Sequence, residues 1–288
     1  TLPSLYELGT GAALKFENQF KKYLGSDDCI AVNSGTSALN LALSLIDIKN
    51  KEVILPSLSF VSTAHAVIIN GGTPVFVDIE PETMCIDPNE IQKSITPKTT
   101  AILPVHFGGF PCNLKDIQNI AEKHNLTIIE DAAHAVGAIY NNKKIGNHGT
   151  AVCFSFHPVK NLAMPTGGLI SINHKNHKQF KKTLLARRWC GITDRIGSEY
   201  NVKELGWNYY MNEFSAVIGL AQLKKLNRLN NIRKNIAKFY DNQIDVEHKT
   251  VFNKDCSYHL YWILVKNRKK FREKMWKAGI ETGTHYKP

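Results

Sequence analysis

Short apolar segments alternate with helical patterns along most of the chain, and this alternation constrains the fold more than any other feature. The apolar residues in these segments are consecutive, which is typical of strands that are buried on both faces. The clearest predicted strands are 53–55, 74–79, 101–105, 127–130, 151–156 and 169–172. Strands of this kind that alternate with helices predict an α/β fold with a mainly parallel sheet covered by helices on both sides.

The helical patterns are amphipathic and have recognisable ends. Phe16, Phe20 and Leu24 recur at helical spacing and Gly25 follows them, so the first helix is predicted to end there. Further helices are predicted over 37–46 and 114–121, and a long one begins near Asn212.

The last part of the chain has a different composition. We predict a strand over 260–265 and a basic helix over 268–278. We therefore expect a large domain over residues 1–230 and the start of a smaller C-terminal α+β domain over residues 231–288. We expect this second domain to be incomplete in this chain.

Charge and cysteine usage narrow the class of protein. The chain has 36 Lys and Arg against 25 Asp and Glu, a formal net charge of +11, which suits anionic partners such as phosphorylated small molecules. The basic residues form no long run, so nucleic acid is not the expected partner.

The six cysteines are widely spaced without a C-x-x-C pair, which predicts reduced thiols in a cytoplasmic protein and no metal site. No apolar run reaches the roughly 20 residues of a membrane span.

A candidate phosphate site lies between a short predicted strand and the helix that follows it. Gly35 permits close approach of the backbone, and Thr36 and Ser37 add hydroxyl groups at the start of a helix, where amides are free to bind an anion. An ordinary helix cap is the alternative, because Ser and Thr are common caps.

Two further segments place ionisable groups just beyond the ends of strands. Asp131 and His134 follow the strand 127–130, and Lys160 follows the strand 151–156. Ligands of open α/β sheets bind at this edge, where an Asp can face a cationic nitrogen and a desolvated Lys can act as a nucleophile. The alternatives are a capping carboxylate, a structural histidine and a solvated surface lysine.

In order and spacing, these segments resemble the DegT/DnrJ/EryC1/StrS family of sugar aminotransferases over residues 11–288. The segments that carry the resemblance are NSGTSAL (33–39), LPSLSFVSTA (55–64), GGTPVFVDI (71–79), PVHFGG (104–109), IIEDAAHAVGA (128–138), SFHPVKNL (155–162), NYYMNEFSA (208–216) and HYKP (285–288). The resemblance implies a large domain of the aspartate-aminotransferase type (fold type I) and pyridoxal 5′-phosphate as the cofactor.

The resemblance also implies roles for individual residues. Lys160 resembles the lysine that condenses with the cofactor aldehyde and moves a proton, and Asp131 resembles the acid that pairs with the pyridine nitrogen. His134 matches a position near the phenolic oxygen of the cofactor. These three are the predicted catalytic residues.

The remaining residues of the predicted site bind rather than react. Phe60 is similar to the aromatic residue that stacks on the pyridine ring. The predicted phosphate-binding residues are Gly35, Thr36, Ser37 and Ser155. Asn208 is similar to an asparagine that reaches the phosphate of a second subunit, which implies a homodimer with shared sites. His285 and Tyr286 lie in a segment that borders the substrate.

The function implied is transfer of an amino group, usually from L-glutamate, to a keto-sugar linked to a nucleotide. Two alternatives on the same scaffold are a cofactor-dependent dehydratase and an aminotransferase that acts on a cyclitol. A remote alternative is a regulator or nucleic-acid binder without catalytic activity.

Overall fold

Parallel strands form the centre of the molecule. The computed structural model of the chain describes residues 11–196 and 198–286. The strands in these ranges are β1 Asp28–Val32, β2 Glu52–Pro56, β3 Thr73–Val77, β4 Thr99–Ile102, β5 Thr127–Asp131, β6 Ile139–Tyr140, β7 Lys143–Lys144, β8 Ala151–Ser155, β9 Gly168–Ile172, β10 Ile192–Ile196 and β11 Glu199–Val202. Seven of these strands form one sheet in the order β1-β9-β8-β5-β4-β2-β3.

The predicted α/β architecture with a mainly parallel sheet is confirmed. The pairs β2–β3, β2–β4, β4–β5 and β5–β8 are parallel. Strand β9 is the exception, since it is antiparallel to both of its neighbours, β1 and β8. The strands β6–β7 and β10–β11 form two separate antiparallel hairpins.

Helices flank the sheet. They are α1 Gly11–Leu24, α2 Gly35–Leu43, α3 Val61–Ile69, α4 Pro88–Ser94, α5 Leu114–His124, α6 His177–Arg188, α7 Glu213–Gln243 and α8 Arg268–Lys277. Helix α2 begins two residues before the predicted start, because the Ser34 hydroxyl accepts a hydrogen bond from the Ser37 amide at 3.0 Å and caps the helix.

The sheet separates two apolar layers, and successive residues of one strand belong to different layers. In β8, Phe154 lies in the layer that contains Phe16 and Phe20 of α1, whereas Cys153 lies in the opposite layer with Leu41 of α2. The Phe20 and Phe154 rings meet edge to face at 5.4 Å. Burial on both faces explains why the strands are continuously apolar.

A buried ion pair ties α1 to α6 across the end of β1. The Arg188 guanidinium lies 2.8 Å from Glu17 Oε1, and both side chains are 4% exposed. The same carboxylate oxygen accepts the Ala31 amide at 2.8 Å, and Arg188 donates to the Ala31 carbonyl at 2.8 Å. The two charges are therefore hydrogen-bonded to the backbone as well as to each other.

The C-terminal prediction is correct for one element and wrong for the other. Helix α8 confirms the basic helix, but 260–265 does not form a regular strand. Only an isolated bridge joins Ile263 to Lys249, flanked by hydrogen bonds from the Thr250 amide to the Trp262 carbonyl and from Leu264 to His248. An apolar β-prone run becomes a strand only where a neighbour offers a continuous ladder.

The predicted boundary between domains at residues 230 and 231 falls inside the continuous helix α7. Where a second domain begins therefore stays a prediction. Of the helices in the described part of the chain, none is long and apolar enough to cross a membrane.

The buried ion pair gives a test of this packing. Replacing Arg188 by Met leaves the Glu17 charge buried without its cation, which we expect to lower the free energy of unfolding by about 3–5 kcal/mol. Urea denaturation measures the change. The matched control is Lys93→Met, which breaks an exposed ion pair with Glu90 and should leave the midpoint unchanged. An Arg188→Met variant as stable as the parent would contradict the assigned role.

Candidate active site

The predicted site residues from β5 and β8 meet at one edge of the sheet. Asp131 is the last residue of β5 and pairs in parallel with Cys153 of β8. Ser155 ends β8, and Lys160 follows it by five residues. Because the carboxyl ends of parallel neighbours share one edge, the fold brings the acid and the amine to the same place.

The Asp131 carboxylate is buried and held by two donors. Its Oδ2 accepts from the Thr63 hydroxyl at 2.8 Å, and its Oδ1 accepts from the Ala133 amide at 3.0 Å. Burial raises the pKa of Asp131, while these two hydrogen bonds and the positive charge of Lys160 act in the opposite direction. The site therefore holds an acid whose ionised form depends on nearby donors and cations.

The Lys160 amine is largely removed from water. Burial lowers its pKa to about 8, and the charge of Asp131 opposes this change. With that value, roughly a tenth of the molecules carry a free amine at pH 7, far more than for an ordinary lysine. A free amine is the nucleophilic form that condenses with an aldehyde.

His134 is buried in one defined orientation. Its Nδ1 accepts a hydrogen bond from the Gly108 amide at 3.2 Å, so the proton of the neutral ring lies on Nε2. That nitrogen lies 3.4 Å from the Tyr286 hydroxyl. Burial, and then the charge of Lys160, lowers the pKa of His134 to about 2. The ring is therefore a neutral hydrogen-bond donor.

The predicted phosphate residues form a close contact between α2 and β8. A Cβ atom added to Gly35 would lie 2.8 Å from the Cβ of Ser155, so only glycine fits there without a shift. Thr36 is exposed at the start of α2, where the first amides have no partner inside the helix. The Ser37 hydroxyl donates instead to Asn33 Oδ1 at 2.6 Å and belongs to the cap. Its role in binding phosphate stays a prediction.

Aromatic side chains border the same edge. Phe60 immediately precedes α3, the helix that carries Thr63, and its ring is 55% exposed beside a buried acid. The Tyr286 ring lies 5.8 Å from Phe60 and 6.3 Å from Phe107, and the exposed His285 lies next to it. The structure thus brings His285 and Tyr286 to the site. Residues 287 and 288 of the predicted substrate segment lie outside the described residues.

Asn208 lies near the start of α2 but is exposed. Its carbonyl accepts from the Asn33 side-chain amide at 3.2 Å, and a single bridge joins it to Trp189. The predicted reach of its side chain to a second subunit stays a prediction.

Sequence reasoning missed three residues that shape the site: Thr63, Gly108 and His259. Thr63 lies in the first turn of α3, where its amide donates to the carbonyl of the capping residue Phe60 at 3.0 Å, and the short spacing from Phe60 could have drawn attention to it. Gly108 has a φ of +62°, which favours glycine and turns its amide towards His134. The His259 ring lies 4.4 Å from the His134 ring, and nothing in the sequence around it marks that contact.

Comparison with known proteins agrees with this geometry. Residues 7–288 match the DegT/DnrJ/EryC1/StrS aminotransferase family. The chain belongs to this family. It is a transaminase that depends on pyridoxal 5′-phosphate, as the sequence predicted.

Three similar proteins illustrate the match. The uncharacterized protein MJ1066 of Methanocaldococcus jannaschii is 37% identical over 295 residues, which cover 96% of this chain and 76% of that protein. A putative sugar aminotransferase, Spr1654 from Streptococcus pneumoniae, superposes in its apo form with a TM-score of 0.92 at 27% identity, covering 98% of this chain and 78% of the other. DesV of S. venezuelae, in complex with a ketimine intermediate, has a TM-score of 0.90 at 32% identity, with 98% and 76% covered.

The residues of this transaminase fit the cofactor. The close contact of Gly35 and Ser155 at a helix N-terminus suits a phosphate, and the buried Asp131 suits a cationic nitrogen. The exposed Phe60 ring offers an apolar face for a pyridine ring. Spr1654 has also been solved in forms with pyridoxal phosphate and with pyridoxamine phosphate.

The glycine contact predicts a specific defect in cofactor binding. In Gly35→Ala the new Cβ would push α2 away from Ser155, and we expect affinity for pyridoxal phosphate to fall at least about tenfold, or roughly 1.4 kcal/mol. Titration of cofactor-free protein measures the loss. Unchanged affinity in the single variant would refute the assignment.

The buried His134 predicts a pH dependence of stability. Its pKa is lower in the folded than in the unfolded protein, so the unfolded state binds more protons below pH 6.5 and stability falls as the pH falls. Between pH 6.5 and pH 5 this group should cost about 1.6 kcal/mol. The free energy of unfolding of the cofactor-free His134→Gln variant should therefore fall less than that of the parent over this pH range, by the amount that His134 contributes. Urea denaturation measures both changes. Equal losses would show that His134 is not buried and neutral.

Proposed function

We propose that this transaminase moves an amino group from L-glutamate to a keto-sugar linked to a nucleoside diphosphate. The observation that carries the proposal is the proximity of a desolvated Lys160 amine to the buried Asp131 carboxylate, close enough for each charge to shift the pKa of the other, beside a cradle that suits phosphate. Support for a sugar substrate comes from Spr1654, a structural relative described as a putative sugar aminotransferase.

Pyridoxal phosphate, when bound, supplies an electron sink for negative charge at the carbon next to the transferred nitrogen. In this proposal the Asp131 carboxylate stabilises the positive charge of a protonated pyridine nitrogen. Thr63 and Ala133 favour the ionised form of that carboxylate by donating to its two oxygens. The proposed role of Thr63 is therefore to orient the acid.

Lys160 has two proposed tasks. Its amine binds the cofactor aldehyde, and when the amine is free it carries a proton to and from the substrate carbon. A pKa of about 8 lets the same nitrogen accept and release a proton near neutral pH, which is the range where general acid–base catalysis is most effective.

The other residues bind and orient. The amides of Gly35 and Thr36 and the Ser155 hydroxyl hold the phosphate, and Phe60 covers one face of the pyridine ring. His134 donates from Nε2, which suits an anionic oxygen of the cofactor.

Three histidines lie near the Lys160 amine. Burial, and then the charge of Lys160, lowers the pKa of His134, His259 and His285. Together with a net charge of +11, this favours a substrate that carries phosphate groups. His285 and Tyr286 are the residues proposed to contact it.

We also propose a homodimer in the cytoplasm. The segment around Asn208 exposes large apolar side chains, including Leu205 at 81% and Phe214 at 84%, and such patches mark interfaces between proteins. A second copy would cover these residues and bring Asn208 to its phosphate. The cysteines at 29, 85, 112, 153, 190 and 256 are all free, which supports a reducing compartment.

Reduction with borohydride tests the role of Lys160. Treatment of the protein with pyridoxal phosphate and borohydride should join the cofactor to Lys160 alone, as peptide mass spectrometry would show. Lys160→Ala should bind no cofactor covalently and lose about 10²–10⁴-fold or more in turnover. The control Lys181→Ala removes a partly exposed lysine that pairs with Asp28 and should react normally. A Lys160→Ala variant that still transaminates overturns the proposal.

The same preparation tests the substrate class. Incubation with L-glutamate and keto-sugars linked to UDP, dTDP or GDP should give an amino sugar and 2-oxoglutarate. An unsaturated or deoxygenated product without a new amine would favour the dehydratase instead. Turnover of a cyclitol ketone but of no nucleotide sugar would favour the cyclitol alternative.

A further inference from the structure

A cluster of buried polar side chains lies directly behind Lys160. Asn161, the next residue, is 6% exposed, and its side-chain amide donates to Asn230 Oδ1 at 3.0 Å and to the Ser257 carbonyl at 2.8 Å. Both amide hydrogens are thus used. The remaining polar atom, Asn161 Oδ1, can only accept a hydrogen bond.

His259 supplies the donor for that oxygen. Its Nδ1 lies 3.3 Å from Asn161 Oδ1, so the neutral ring carries its hydrogen on Nδ1. The ring also packs against His134, with centroids 4.4 Å apart and planes tilted by 39°. His259 therefore contacts the neighbour of Lys160 on one side and His134 on the other.

The loop after β5 is tied to the same cluster. Asn230 of α7 donates to the Val136 carbonyl at 2.9 Å, and the Ser257 hydroxyl donates to the His134 carbonyl at 3.0 Å. The loops that follow β5 and β8 thus reach one set of hydrogen bonds through residues far apart in the sequence. We therefore expect a substitution in this set of hydrogen bonds to displace both the loop after β5 and the loop after β8.

We propose that His259 is a positioning residue, which holds Lys160 in its buried place beside Asp131 through the hydrogen bond to Asn161. It is not proposed to touch the substrate or to transfer a proton. The proposal rests on the proposed function only for the importance of Lys160; the geometry itself does not depend on which substrate reacts.

The electrostatics of the cluster agree with this role. Burial, and then the charges of Lys160, Arg233 and His285, lower the pKa of His259 to about 3, so the ring stays uncharged near neutral pH. In the described part of the chain, Asp131, His134 and His285 also feel the charge of Lys160. A neutral ring holds Asn161 without adding a charge beside the amine. If the hydrogen bond from His259 to Asn161 is lost, we expect water to reach Lys160 and the pKa of the Lys160 amine to rise towards the ordinary value.

Two substitutions separate the hydrogen bond from the packing. His259→Phe keeps a ring against His134 but removes the N–H, whereas His259→Asn keeps an N–H donor near the place of Nδ1 but removes the ring. The readout is the pH dependence of acetylation of Lys160 by acetic anhydride in the full cofactor-free chain, followed by peptide mass spectrometry. This readout is independent of catalytic activity.

We expect the inflection for Lys160 near pH 8 in the parent. In His259→Phe it should rise by about one pH unit, which means roughly tenfold less free amine at pH 7. In His259→Asn the free amine should stay within about twofold of the parent. The matched control His148→Phe removes a partly buried histidine that bonds to the Tyr140 carbonyl, and it should behave as the parent. An unchanged inflection in His259→Phe, or an equal rise in His259→Asn, overturns the proposal.

A measurement on the parent protein can overturn the proposal even if a variant fails to fold. Nitrogen NMR of the chain labelled with ¹⁵N-histidine reports which ring nitrogen carries hydrogen. We expect His259 to be protonated on Nδ1 and uncharged at pH 6; hydrogen on Nε2 alone would exclude the bond to Asn161. If borohydride does not join the cofactor to Lys160 while these results hold, the proposed function fails and the positioning role stands.

Discussion

Desolvation of two opposite charges at one edge of the sheet is the constraint on which the rest of the structure depends. Burial alone favours the neutral form of both groups, since it raises the pKa of Asp131 and lowers that of Lys160. Their mutual attraction and the donors Thr63 and Ala133 act against burial. The result is an acid and an amine whose protonation responds to whatever binds between them. A pair of this kind stabilises the fold little, so the surrounding scaffold must hold it in place.

Successive side chains of a strand point to opposite faces of the sheet, so the two neighbouring carboxylates of β5 have different surroundings. Asp131 points to the site, while the fully buried Glu130 contacts His106 Nε2 at 2.8 Å. His106 Nδ1 accepts the Cys112 amide at 3.0 Å, and the His106 amide donates to the Asp131 carbonyl. One carboxylate is thus part of a closed network that fixes the end of β5, and the other stays available to a ligand. This division supports the proposal that Asp131, and not Glu130, faces the cofactor.

Local patterns in the sequence were sufficient for the elements and for the residues at the ends of strands. Continuous apolar runs identified the sheet because both of its faces are covered, and Lys160 and Asp131 stood out because they follow such runs. The direction of β9 was not predictable, since an antiparallel strand buried on both faces has the same apolar pattern. The predicted strand at 260–265 was wrong because a ladder depends on a partner that no local pattern specifies.

The contacts that complete the site could not be predicted from local sequence patterns. Thr63 bonds to an acid 68 residues away, and His259 bonds to an amide 98 residues away. The chemistry of either residue type fits many environments, so only the folded arrangement assigns a role. The cofactor was predicted from a family resemblance spread over eight segments. No single segment was sufficient, because each one alone has an ordinary structural explanation.

The protonation state of the pyridine nitrogen in the complete enzyme tests the role of Asp131 most directly. Nitrogen NMR of the protein loaded with pyridoxal phosphate that carries ¹⁵N in its ring reports this state. We expect a protonated nitrogen from pH 6 to pH 8.5 in the parent protein and loss of that proton in Asp131→Asn. A nitrogen that is unprotonated at neutral pH, or one that stays protonated in Asp131→Asn, would contradict the central role of this buried acid.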